Sequence, residues 1–339
     1  QAEDGIRDVE RSRGLGDVYK RQKVKRGKSL ILNGHIDVVP VGDERLWTKP
    51  PFKPYILDDL LFGRGSGDMK AGIAAYIIAF EAFKTVVIVP GAEIIMQSVV
   101  EEECTGNGAL ACLHKGYKAD AAIIPEPFNN TIMSAQVGVM WLRVEVLGKP
   151  SHVLNSNDGT NAIEGAFELW QGLKNLCREW NDNQDRPAAF KDADKPIKFN
   201  LGLIRGGEWA SSLATCCEMD LRVGFFPGTS VSEVCSQIEN RLRDTISNNK
   251  QLSDINFKIS YGGFQSEGCI VDLNNPFITT LTQSHRAIFK TQPEYFASAA
   301  TTDAKIFNLY GDIPATCYGP EARNIHGIDE CVSLESTLN

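Results

Sequence analysis

The sequence predicts an α/β protein in which a larger domain, built on a mostly parallel sheet flanked by helices, is interrupted by a smaller ferredoxin-like domain. Three observations predict it. Short apolar runs alternate with helical stretches over residues 29–124, the pattern of a parallel sheet buried on both faces. Over residues 139–261 the order changes to β-α-β-β-α-β, the split βαβ arrangement. Residues 279–318 then return to helix, helix and strand, so the small unit reads as an insertion. The 339 residues suffice for both domains, and 42% hydrophobic with 23% charged residues excludes a disordered or fibrous chain.

The first residues fit no element. Residues 5–22 (GIRDVERSRGLGDVYKRQ) show no amphipathic period, and the ending GLGDVYKRQ resembles translated adapter read-through. Residues 1–22 are therefore set aside as a non-native segment. Their basic residues (Arg7, Arg11, Arg13, Lys20, Arg21) balance their acidic ones (Glu3, Asp4, Asp8, Glu10, Asp17), so the net charge of −8 belongs to the remainder.

Residues 29–33 (SLILN) read as a buried strand, 70–84 (KAGIAAYIIAFEAFK) as an Ala-rich helix, 92–100 as a second buried strand, 106–115 as a short helix and 119–124 as a third strand. Residues 139–147 alternate like a half-exposed strand. Residues 161–180 form a helix with Ile163, Phe167, Trp170, Leu173 and Leu176 on one face. Strands at 197–204 and 215–226, a helix at 230–246 and a strand at 255–261 complete the small domain. The expected boundaries are 23–135 with 263–339 for the large domain and 136–262 for the insertion. The polar stretch 333–339 reads as the start of a helix.

Ligand-type residues gather at strand ends. His35 and Asp37 follow the first strand, Glu101, Glu102 and Glu103 the second, and Glu126, between Pro125 and Pro127, the third. In an open α/β sheet, ligands bind beyond the carboxyl ends of the strands. Asp68 sits in a glycine-rich turn before a helix, and His326 follows the last strand. Singly, these residues are unremarkable: a charge run is usually solvated, and a lone His usually a satisfied polar group. The weight rests on their convergence. One Asp, two Glu and two His suit Zn²⁺ or a similar divalent ion, and can hold two ions through a shared carboxylate. The glycine-rich turn lacks GxxxxGK[ST], and no GxSxG occurs, which argues against a nucleotide site and a nucleophile-elbow hydrolase.

Together the motifs resemble one family, that of aminoacylase, acetylornithine deacetylase, succinyl-diaminopimelate desuccinylase and carboxypeptidase G. Leu32-Asn33-Gly34-His35-Ile36-Asp37-Val38-Val39-Pro40 looks like its first metal motif, and Gly63-Arg64-Gly65-Ser66-Gly67-Asp68-Met69-Lys70-Ala71-Gly72 its second. Val100-Glu101-Glu102-Glu103 with Gly106-Asn107-Gly108-Ala109 resembles the third, and Glu126-Pro127 the fourth. Gly148-Lys149-Pro150-Ser151-His152 resembles the opening of the family's inserted dimerisation domain; Thr302-Asp303-Ala304-Lys305, Gly319-Pro320 and His326 resemble its closing segment.

The resemblance implies two divalent ions, Zn foremost with Co or Mn as alternatives. Asp68 would bridge them, His35 and Glu126 completing one site, Glu103 and His326 the other. Asp37 would orient His35, and Glu102 would be the general base; a register one residue earlier, Glu101 with Glu102, stays open. His152, from the second subunit of a homodimer, would stabilise the oxyanion. Arg222 and Arg323 are the candidates for a substrate carboxylate, although Ser211-Ser212-Leu213-Ala214 stands where many relatives carry Asn-x-Ile/Val-Pro.

The expected activity is hydrolysis of a small N-acyl amino acid, closest to acetylornithine deacetylase. A desuccinylase or dipeptidase of the same family is the alternative, and a catalytically silent amino-acid-binding relative a further one. The acidic balance excludes nucleic acid and anionic membrane as main partners. No apolar run reaches the ~18 residues of a spanning helix. The nine cysteines contain no CxxC and the chain opens polar, so a cytoplasmic setting is expected.

Overall fold

The computed structural model describes residues 16–21 by their backbone and 27–87 and 90–339 in full. It divides into two compact units. One falls within Gln1–Ser134, Ile270–Phe296 and Thr302–Asn339, the other comprises Ala135–Cys269 and Ala297–Thr301.

The first unit is organised around a five-stranded sheet of order Gly16–Arg21, Ile94–Val99, Leu30–His35, Ala121–Ile124, Ala315–Cys317. The last four strands run parallel. Their sequences are nearly continuous in apolar residues because both faces are covered. Ile31, Ile95, Val99, Ala122, Ile124 and Phe307 form the centre of the core. A buried polar rung crosses two neighbouring strands, Asn33 Nδ2 donating to Gln97 Oε1 at 3.1 Å. Gly16–Arg21 lies within the segment set aside as non-native, yet its backbone pairs antiparallel with Ile94–Val99. An open edge accepts any extended backbone, which does not need the amphipathic period that the segment lacks. Residues 1–15 and 22 lie outside the described residues.

Register sets where the strand ends fall. His35 pairs with Val99, and Leu32 with Ile123. Residues 37, 101–103 and 126 therefore leave the sheet at one edge. Helix Ala71–Thr85 begins there, and Gly72 permits the approach: a Cβ at this position would lie 2.2 Å from the Pro125 carbonyl oxygen.

A second, four-stranded antiparallel sheet was not foreseen. It joins Ala322–Arg323, Cys331–Ser333, Leu60–Phe62 and Tyr55–Leu57 in that order. Strands of two or three residues carry no readable period. Pairing of Cys331–Ser333 with Leu60–Phe62 brings the glycine-rich turn, which follows Phe62, against the segment containing His326. The second helix of the closing stretch, expected over 302–309, is a short α-helix, Ala304–Ile306, that continues as a π-helix over Phe307–Gly311. The chain ends in helix Leu334–Leu338, capped by Ser333.

The second unit has the order β-α-β-β-α-β: Gly138–Leu147, Ala162–Asp182, Phe199–Gly206, Cys216–Phe225, Val231–Ser247, Asn256–Ser260. Its sheet order is Asn256–Ser260, Gly138–Leu147, Cys216–Phe225, Phe199–Gly206, antiparallel throughout. Leu142, Val144 and Val146 pack with Leu169, Leu173, Val234 and Ile238 of the helices, and the alternate residues Trp141 and Arg143 are exposed. Asn161 and Ser230 cap the two helices through side-chain acceptors. Among the described residues no helix is long and apolar enough to cross a membrane. No disulfide joins any of the nine cysteines.

Candidate metal centre

Every group of the centre belongs to the first unit. His35 ends its strand fully buried. Its Nδ1 lies 3.1 Å from the Asp37 carbonyl oxygen and 3.4 Å from Asp37 Oδ1. Two acceptors on that side place a proton on Nδ1 and leave Nε2 facing the acids. Nε2 is 3.0 Å from Asp68 Oδ1, 3.8 Å from Glu126 Oε1 and 4.0 Å from Glu102 Oε2. The other oxygen of Asp68, Oδ2, is 3.1 Å from His326 Nε2, which is itself 3.0 Å from Glu103 Oε2. Asp68 thus joins two triads, His35–Asp68–Glu126 and Asp68–Glu103–His326.

Main-chain detail holds these groups. Asp37 Oδ2 accepts from the Glu103 N–H at 3.2 Å, so one carboxylate touches both halves of the cluster. His326 sits at φ 60°, in the left-handed region, which turns the chain sharply beside Gly327. The peptide between Asp68 and Met69 is cis. Glu101 faces elsewhere: its carboxylate accepts from Thr105 Oγ1 at 2.9 Å and Asn107 Nδ2 at 3.2 Å, at the start of helix Asn107–His114. Glu102 and Glu103, not Glu101, stand in the cluster.

The electrostatics are those of crowded acids around one buried imidazole, His35, and one exposed imidazole, His326. Burial pushes the Glu102 carboxyl up to about 8. Burial, then the Asp68 charge, raises Glu126 well above the carboxylate range. Burial alone would lower the pKa of His35, but its contacts with Asp37 and Asp68 and the charges of Glu126 and Glu102 outweigh it and raise it well above 6.5. Hydrogen bonds to Asp68 and Glu103 raise His326 to about 10. Burial would raise Asp68, yet His326 and His35 hold it below its ordinary range.

The residues fit divalent cations. Three carboxylates and two imidazoles converge, and Glu103 Oε1 and Glu126 Oε1 are buried with no hydrogen-bond partner. A cation would satisfy those oxygens and offset the three negative charges.

Other candidates fall elsewhere. His152 lies in the second unit, exposed, with Nδ1 accepting from Leu154 N–H at 3.1 Å, which leaves the proton on Nε2. Arg222, in the same unit, is half-buried and donates to the carbonyls of Ala299 at 3.1 Å and Lys198 at 3.4 Å. Part of its fork is therefore committed to main chain. Arg323 is exposed on the small sheet opposite Cys331. Four charged residues went unassigned in the sequence: Arg64, Glu330, Asp303 and Lys305, all buried. Both Asp303 carboxylate oxygens lack a hydrogen-bond partner, and burial raises this group to about 6. Charge within a stretch expected to be helical, 302–309, was the available signal; Glu330 had none.

With this geometry in view, the model of peptidase family M20/M25/M40 matches residues 31–339. The chain belongs to that family. A relative in Bacillus subtilis, N-formyl-4-amino-5-aminomethyl-2-methylpyrimidine deformylase, is 31% identical over 91% of this chain and 76% of its own length. A probable succinyl-diaminopimelate desuccinylase of Staphylococcus aureus is 28% identical over 91% of this chain and 80% of its own. Among solved structures, the dipeptidase Dug1p of Saccharomyces cerevisiae superposes with a TM-score of 0.78 at 12% identity, covering 95% of this chain and 79% of that one. Human carnosine dipeptidase 1 gives 0.76 at 15%, with coverage of 95% and 79%. These structures share the fold. As a member of the M20/M25/M40 family, the chain is a hydrolase acting on amides. The leaning toward acetylornithine deacetylase finds no support among these relatives.

Proposed function

We propose that the protein is a di-metal amidohydrolase that removes a short acyl group from a small amine, with an N-formylated aminopyrimidine as the foremost candidate substrate. The observation that carries the chemistry is the pair of triads sharing Asp68, with Glu102 beside them. The formyl reading is supported by the 31% identity with the deformylase. The proposed ligands are His35, Asp68 and Glu126 for one ion and Asp68, Glu103 and His326 for the other, zinc foremost.

When bound, such ions polarise the scissile carbonyl and acidify the attacking water. Glu102 takes the proton of that water and delivers it to the leaving nitrogen. Its burial suits the task, because a carboxyl pushed upward returns a proton more readily than an exposed one. Asp37 holds the His35 tautomer that keeps Nε2 available. His152, with its Nε2 proton, is assigned the oxyanion of the tetrahedral intermediate, supplied by a second subunit of a homodimer.

The test is acyl release by the zinc-loaded protein from the N-formyl aminopyrimidine, N-acetylornithine, N-succinyl-diaminopimelate and a dipeptide, with Glu102→Gln in parallel. Formate release exceeding that from the other substrates, and lost in Glu102→Gln, is the expected result. Preference for another acyl group would replace the formyl reading, and undiminished turnover by Glu102→Gln would remove Glu102 as the base.

A further inference from the structure

We propose that Glu330 and Arg64 are positioning residues that hold the shared ligand Asp68 and the His326 turn in one frame; the inference rests on the di-metal reading above. Neither contacts a reacting atom. Their side chains are 1% and 2% exposed and pair at 2.5 Å, Arg64 Nη1 to Glu330 Oε2. A buried ion pair contributes little net stability over apolar packing, so stability alone does not account for this one.

A second use is visible in where the remaining hydrogen bonds go. Glu330 Oε1 accepts from the main-chain N–H groups of both Gly67 and Asp68, each at 3.0 Å. The Glu330 carbonyl accepts from Gly63 N–H at 2.9 Å. Arg64 Nη2 donates to the Gly327 carbonyl at 3.0 Å, immediately after His326. Asp329 accepts from Thr48 N–H and Oγ1 at 2.9 and 2.7 Å, fixing the same turn from its other side. Gly67 must be bare for this approach: a Cβ there would meet Ala322 Cβ at 2.9 Å and stand 3.5 Å from Glu330 Oε1. Trp47 covers the guanidinium, 5.2 Å from ring centre to Cζ. The glycine-rich turn and the His326 turn are 258 residues apart between Asp68 and His326 in sequence (326 − 68), and this pair ties them at two points.

The two residues divide the work. Glu330 fixes the backbone of Asp68, which serves both ions. The second arm of Arg64 fixes only the His326 side. Replacing either therefore gives different signatures, which general fold support would not. Glu330→Gln keeps an acceptor for the main chain but sets an amide against Arg64. Arg64→Lys keeps the buried charge while losing the planar two-armed fork.

The experiment is stepwise Zn²⁺ titration of the metal-depleted full chain against a fluorescent chelator, with circular dichroism on each variant. Glu330→Gln should weaken both ions, by the roughly 10–100-fold typical when the partner of a ligand is lost. Arg64→Lys should weaken one ion by about 10-fold and the other by less than about twofold. His326→Ala, which removes a ligand of the second site, identifies which ion is affected. Unchanged affinities in both variants overturn the inference, as does equal weakening of both ions in Arg64→Lys or loss of native dichroism in both variants. Failure of the unaltered protein to bind two ions instead refutes the di-metal reading itself.

Discussion

Glu102 and Glu103 are neighbours in sequence with opposite assignments, and the structure separates them by environment. Glu103 reaches His326 and is tied through its N–H to Asp37, whereas Glu102 is buried 4.0 Å from His35 Nε2. A base of this kind contributes typically 10²–10⁴-fold, so Glu102→Gln should lower kcat by about that factor while leaving zinc content intact. Steady-state kinetics beside metal analysis check this. At this scale the sequence was informative wherever chemistry coincided with a strand end. His35, Asp68, Glu126 and His326 stood out because imidazoles and acids collected at one edge of a predicted sheet. Glu330 and Arg64 did not, because a buried pair that meets 266 residues apart leaves no local pattern. Arg222 was legible as a cation but not as one partly committed to the carbonyls of Ala299 and Lys198.

At the scale of elements, the glycine-rich turn and the helix after it carry Asp68 and abut the Glu126 turn. Gly72 sits at that junction, where a Cβ would lie 2.2 Å from the Pro125 carbonyl oxygen, a main-chain atom with little room to yield. Gly72→Ala should therefore destabilise the protein by about 1–3 kcal/mol through overpacking, despite the better helix propensity of Ala. Denaturant unfolding measures the loss, and zinc affinity should fall with it because Pro125 carries Glu126. The long strands and helices were readable from their periods, since each buries a face. The small sheet of Tyr55–Leu57, Leu60–Phe62, Ala322–Arg323 and Cys331–Ser333 was not, because two or three residues hold no period and their pairing depends on partners remote in sequence. Yet this sheet sets the His326 turn against the Asp68 turn.

For the whole molecule, the centre links stability to pH. Without metal, folding raises His326 from 6.5 to about 10 and Glu102 from 4.5 to about 8. The folded state then binds more protons than the unfolded one, so stability falls as pH rises. The His326 contribution is complete below pH 6.5 and is lost toward pH 10; the Glu102 penalty grows from pH 4.5 to about 8. Asp68, held low, contributes above its ordinary 3.8 and is lost only as pH falls below that. Metal-depleted protein should therefore melt at a lower temperature at pH 9 than at pH 6. Zinc, which takes the place of those protons, should raise Tm more at pH 9. Differential scanning calorimetry with and without zinc gives both values, and a zinc-induced rise that is the same at the two pH values would contradict the linkage.

The α/β character was legible because the longer strands and helices bury periodic faces. The acyl group was not, since no motif in the sequence names the groups that would receive it. The central claim is that Asp68 serves two ions at once, and the most direct test is the zinc content of the folded chain and of Asp68→Asn. The account predicts two Zn²⁺ per chain and loss of both in the variant, with the fold retained by circular dichroism. Zinc bound by the unaltered protein at one ion or none, or two ions kept by Asp68→Asn, would contradict it.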